Sequence, residues 1–146
     1  MNKVQQFWCD FCVENQIEGI TYKDAFQFGA SADWLADLVV EGKKTATTSG
    51  FVFYELEKEP IPQAGEYYIV LDGQENPAAV ILIQSVAVLP MNEVTEEFAL
   101  AEGEGDYLFW WDAHEKFFTE LLKEYSLEFS SDMLVVCERF KKVYSK

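Results

Sequence analysis

With 146 residues, 49% of them apolar and 16% aromatic, the chain is long enough to build one domain over residues 1–146, and too rich in Trp, Tyr and Phe to remain disordered. Its 26 Asp and Glu against 11 Lys and Arg leave a net charge of -15, which excludes coating of long duplex nucleic acid through many cation–phosphate contacts and disfavours anionic membrane surfaces. The three cysteines are an odd number and form no disulfide framework; no basic start with an apolar run resembles a signal peptide, and no apolar run nears the about 18 residues needed to cross a bilayer, so a cytoplasmic protein is expected.

Val4, Phe7, Trp8, Phe11 and Cys12 recur at helical spacing and predict a first helix from about Asn2 to Gln16, an extension before the rest of the domain. Cys9 and Cys12 have the spacing of a redox or metal pair. They lie on a helical stripe with no second pair, so Cys12 reads as a small hydrophobe beside Trp8. The segment from Thr21 to Ala30 reads as an aromatic loop. Ser31 is placed to cap a second helix bearing Trp34, Leu35, Leu38 and Val39, and Gly42 to end it.

The pattern then turns to strands. Thr45 to Glu57 is rich in β-branched and aromatic residues, and Pro60, Pro62 and Gly65 break the run. Tyr67 to Leu71 and Ala78 to Val88 predict a hairpin across the turn Asp72 to Pro77. Asn92 is the expected cap of a short helix carrying Val94, Phe98 and Ala101, closed by Gly103. The stripe Trp110, His114, Phe117, Phe118, Leu121 and Tyr125 predicts a long helix, and Met133 to Val143 a last strand. Helices inserted among short strands, without a βαβ alternation, predict an α+β fold around a small barrel or curled sheet.

Three features carry possible chemistry. The first is Gly42-Lys43-Lys44-Thr45-Ala46-Thr47-Thr48-Ser49-Gly50, two cations beside a run of hydroxyls in an acidic chain. It lacks the first glycine and the preceding strand of a P-loop, which excludes nucleoside triphosphate hydrolysis on that motif. The plainer reading is a pair of lysines solvating a helix C-terminus. For Thr47 or Thr45 to act as a nucleophile, a base must stand beside it. Lys44 could be that base only with a depressed pKa, for which Lys43 is a neighbouring cation. The second feature is the acidic loop Glu102, Glu104 and Asp106, its carboxylates spaced by glycines that permit close backbone approach. It has no EF-hand spacing, and no motif calls for a metal or cofactor. The third is the single histidine, His114, on the apolar stripe, with Trp111 beside that stripe as a candidate stacking ring.

Together these residues resemble the ASCH domain family, a PUA-like group related to RNA-binding domains. The resemblance rests on Ala32 to Val39 leading into Gly42 to Thr47, on Val70 to Gly73, on Val94 to Asp106, on the Trp110–Phe118 helix, and on Val135 to Phe140. It implies a PUA-like open β-barrel with helices packed around it, and a cleft lined by the Lys/Thr segment and the acidic loop. It also implies a nucleoside, nucleotide or short RNA as ligand. Lys43, Thr45, Glu104, Asp106, Trp111 and His114 would then contact that ligand. Some small members resemble amidohydrolases acting on N4-acetylcytidine through a lysine, a threonine and a glutamate. Matching the motifs places these on Lys44, Thr47 and Glu102, with Glu104 as the other register for the acid. Those members often carry an arginine where Ser49 stands here. A protein-interaction module without a small ligand is the third expectation, and nothing in the sequence fixes an oligomeric state.

Overall fold

Asn2 opens the first helix, α1 (Lys3–Asn15): its side chain accepts the Gln5 backbone N–H while the Gln5 side chain accepts the Asn2 N–H, so two otherwise unpaired helix donors are satisfied at once. A computed structural model describes residues 1–146. The predicted helix is present, shorter by one residue at each end. Its stripe of Phe7, Trp8 and Phe11 is buried against Ile69, Val80 and Tyr144 of the sheet.

The segment expected to be a loop contains a strand, β1 (Asp24–Gln27), paired in parallel with β3 (Tyr67–Leu71). Only four residues long, half-buried at best and at the sheet edge, it carries no period-2 signal of its own; the free edge of β3 makes it a strand. Helix α2 (Ala32–Val40) follows. Ser31 occupies its N-cap position in a left-handed conformation, and the expected side-chain cap is not made. Its C-terminus ends at Gly42, with φ +79. There Lys43 N–H donates to Leu38 C=O and Gly42 N–H to Val39 C=O, the paired bonds of a Schellman stop.

The run predicted as one strand to Glu57 splits into β2 (Ala46–Gly50) and helix α3 (Phe51–Glu57). The reason lies in the partner. Strand β2 pairs antiparallel with β5 (Leu134–Ser145), and Gly50 sits opposite Val135, one residue from the end of β5. Beyond Gly50 no strand remains to bond to, and a helix satisfies its own backbone. The predicted hairpin of β3 with β4 (Pro77–Pro90) is present, the Asp72 carboxylate accepting the N–H groups of Gln74 and Asn76 in its turn. Asn92 falls in a 3-10 turn (Met91–Glu93), and the cap of helix α4 (Glu96–Ala101) is Thr95 instead, whose hydroxyl accepts the Phe98 N–H. Helix α5 (Tyr107–Lys123) is capped by Asp106, and β5 runs two residues past the predicted end.

The five strands form one sheet in the order β1-β3-β4-β5-β2. It is α+β in class: an open, curled half-barrel. Strands β4 and β5 are long, and their register slips between Val80 and Ile81 and again between Ile83 and Ser85. Such bulges bend a ribbon and deepen its twist. Successive β3 residues serve opposite faces: Ile69 packs with α1, while Val70 packs with α2. A third cluster joins α4 and α5 to β2 and β5 through Ala46, Phe98, Trp110, Phe118 and Val135. No helix is long and apolar enough to cross a membrane.

Candidate functional site

The left-handed turn at Gly42 aims Lys44 inward. Its side chain is 1% exposed, and its ammonium donates at 3.1 Å to the Glu102 carboxylate and at 3.1 Å to Glu104. A charge at that depth is stable only when paired and hydrogen-bonded. The neighbouring cation expected to influence it is absent: Lys43 is exposed and pairs with Glu41 at 2.9 Å. Carboxylates surround the ammonium instead.

Glu102, at the C-terminal cap of α4, is as buried as Lys44. Its Oε1 accepts from Lys44 and lies 3.6 Å from His114 Nε2. Its Oε2 accepts the Thr48 hydroxyl at 2.7 Å and also the Trp110 indole N–H. Both oxygens are thereby fully engaged. The His114 ring is fixed from its other side, Nδ1 donating to the Trp110 carbonyl at 2.7 Å, since a carbonyl can only accept. Gly103 makes this convergence possible. A Cβ there would stand 2.4 Å from the Lys43 carbonyl oxygen, and its φ of +76 is one that side-chain-bearing residues rarely adopt.

The structure thus brings together Lys44, Glu102, Glu104 and His114, and leaves the other candidates apart. Thr47 makes no bond to this cluster. It pairs with Glu138 across β2 and β5, whereas Thr48 pairs with Cys137. Alternation along a strand sends these two threonines to opposite faces. Thr45 ties its hydroxyl and its backbone N–H to the Ala101 carbonyl, Asp106 caps α5, and Trp111 is half-buried against the α4–α5 core rather than presented as a stacking ring.

Thr47 opens instead onto a cavity of about 580 Å³, within the range of small-molecule sites. Its walls are aromatic: Phe28, Phe53, Tyr54, Tyr68, Phe117 and Phe118. Polar atoms are few, and Thr47, Ser49 and Glu138 supply several of them from one sheet face. Ser49 and Tyr54 share a hydrogen bond of 2.8 Å. Burial raises the Tyr54 and Tyr68 phenols, and nearby carboxylates add to that. The rim is exposed and acidic, with Asp24, Glu57, Glu59 and Glu124 against Lys23 alone. The expected cleft between the Lys/Thr segment and the acidic loop is therefore displaced. Lys44, Glu102 and Glu104 do not line the cavity but stand one layer behind it. Lys44 sits 5.2 Å from the centroid of Phe28, and Glu102 holds Thr48; both of these partners border the cavity.

Sequence reasoning passed over Thr48 and Glu138. A signal existed for the second, since Glu138 is a lone acid inside the apolar run Leu134 to Phe140. Burial, then Glu66 and Glu102, push its carboxyl up to about 7, with Lys44 opposing. Cys137 is pushed up to about 12, first by burial, which makes it an unreactive thiol.

A family model described as the ASCH domain matches residues 24–144. A crystal structure of a protein from Enterococcus faecalis V583 is 40% identical, covers 96% of this chain and 87% of that one, and superposes with a TM-score of 0.87. The ASCH domain from Lactobacillus crispatus JV V101 is 35% identical over 97% of this chain and 94% of that one, with a TM-score of 0.91. An ASCH protein from Zymomonas mobilis, 9% identical over 82% of this chain and 70% of that one, has a TM-score of 0.51 and shares the fold alone. No curated protein matches the chain. The curled sheet and the extent of these matches lead to one conclusion: the chain belongs to the ASCH domain family.

Proposed function

We propose that this ASCH domain binds a nucleoside, or a nucleotide or short RNA end presenting one, with the base in the aromatic cavity. The observation that carries this reading is the cavity itself. Its volume of about 580 Å³ admits a nucleoside, and its aromatic walls suit a planar heterocycle. An RNA-binding role is in keeping with the family, and the net charge of -15 argues for a local rather than a polyanionic contact. The three free thiols fit a reducing, cytoplasmic setting. Thermal melting with cytidine, uridine, adenosine and guanosine at millimolar concentration tests it. A concentration-dependent rise in Tm with at least one nucleoside is expected. Flat melting curves with all four would leave the protein-interaction reading in its place.

A second reading is hydrolysis of an N4-acetylcytidine-like amide. It draws on the 2.7 Å bond between the Thr48 hydroxyl and Glu102, itself paired with Lys44, because a hydroxyl nucleophile needs a base within such reach. Thr47, favoured by the family resemblance, stands on the cavity wall without a bonded base. In this scheme a threonine oxygen adds to the acyl carbonyl. Glu102 takes the hydroxyl proton and returns it to the cytidine amine as the acyl C–N4 bond breaks. Water then cleaves the acyl-threonine to release acetate, and Lys44 stabilises the charge that develops. Incubation with N4-acetylcytidine, with chromatography for free cytidine, decides it. Turnover should fall at least a hundredfold in either Thr47→Val or Thr48→Val, whichever hydroxyl attacks, and in Lys44→Met. Absence of cytidine with the wild-type protein removes the enzymatic reading.

A further inference from the structure

Glu138 is 7% exposed, yet its carboxylate has no hydrogen-bond partner and no ion pair. Every fully enclosed side-chain nitrogen or oxygen in the protein does have a partner. The two unpaired oxygens of Glu138 are therefore the part of that side chain that opens on the cavity, whose wall it forms. Buried polar groups are paired in folded proteins unless something else arrives to pair them. The polar neighbours on the same face do not fill this role: Ser49 is bonded to Tyr54, and Tyr68 donates to Glu66.

We propose that Glu138 reads the ligand, and that the ligand class is an uncharged planar heterocycle with an amidine edge: an exocyclic amine beside an unprotonated ring nitrogen, as in cytosine or adenine, without a phosphate at the cavity. This rests on the cavity-binding reading and narrows it. A carboxyl group matches such an edge with two hydrogen bonds, one oxygen accepting the amine N–H and the other sharing a proton with the ring nitrogen. The pair is the same whichever partner holds that proton, and a carboxyl near neutrality can take either role. The charged and titratable groups around it are Glu66, Glu102 and Lys44, with Tyr54 and Tyr68 from α3 and β3. A uracil edge, with an N–H between two carbonyls, cannot take that proton: it meets the carboxylate with one bond and one repulsion, and makes two bonds only with the protonated acid. The acidic rim, Asp24, Glu57, Glu59 and Glu124 against Lys23, opposes a phosphate, and Lys23 is itself shared with Glu66 at 3.7 Å.

Calorimetric titration of the intact protein with cytidine, adenosine, uridine, cytidine 5′-monophosphate and butylammonium at pH 7 tests the proposal. Cytidine or adenosine should bind about tenfold or more tighter than uridine, and cytidine 5′-monophosphate more weakly than cytidine. Glu138→Leu should abolish the preference over uridine. Glu138→Gln should lose it as well, because a carboxamide cannot yield a proton to the ring nitrogen and pairs with two hydrogen bonds to either edge. Equal binding of uridine, a gain from the phosphate, butylammonium binding as tightly as the nucleosides, or Glu138→Leu matching the wild type would each overturn the assignment while leaving the cavity as a binding site. No binding by any nucleoside would overturn both.

Discussion

Glu138 is the residue whose environment departs most from what its side chain prefers. Its carboxyl is raised from 4.5 to about 7, first by burial and then by Glu66 and Glu102. A raised acid weakens the folded state as pH rises. Between 4.5 and 7 the unfolded chain releases this proton while the folded protein retains it, so stability falls with pH across that window and levels off above it. The difference amounts to on the order of 3 kcal/mol. Glu138→Gln removes the titration. The two proteins should melt alike near pH 4, and the variant should melt roughly 10 °C higher at pH 8. A Tm gap that does not widen between pH 4.5 and 7 counts against the unpaired, buried carboxyl. Lys44 and Glu102 are the converse case, equally buried but with every strong partner present.

At the scale of elements, the site depends on one close approach. The α4–α5 loop comes down onto the backbone before β2, with Thr45 N–H donating to the Ala101 carbonyl at 2.8 Å and the Gly103 backbone against Lys43. A methyl group at 103 would meet backbone atoms, which cannot swing aside, at a φ already unfavourable to it. Gly103→Ala should therefore cost about 2–4 kcal/mol in a urea titration. Glu102 and Lys44 would be pulled apart with it. Gly42→Ala is the control: it shares the positive φ, but nothing lies within 4 Å of its added Cβ. Its loss should stay near about 1 kcal/mol, and losses of equal size would show that the contact with Lys43 is not tight.

For the whole molecule, charge decides what kind of partner is admitted. At -15, with a rim of carboxylates around the cavity, the protein repels a long phosphate chain at distance, and the proposed base would have to be engaged by short-range contact. Filter binding of a 30-nucleotide single-stranded RNA should show affinity no better than about 10 µM at 150 mM salt, weakening further on each increase in salt. Submicromolar, salt-insensitive binding would place RNA recognition on a surface other than this cavity.

The sequence by itself determined the parts set by local chemistry. The Asn2-to-Gln16 stripe, the stop at Gly42, the β3–β4 hairpin and the Trp110 stripe each carry a period or a turn signal that needs no distant partner. Through the resemblance of its motifs to the family it also grouped Lys44, Thr47 and Glu102, with Glu104 as the other register for the acid. Only the tertiary structure decided where β2 ends, that β1 exists, that Thr48 rather than Thr47 meets Glu102, and that Glu138 faces the cavity. Each of these depends on which strand lies alongside. Pairing fixes the face on which every second side chain emerges, and a one-residue change of parity exchanges a hydroxyl in the core junction for one in the cavity.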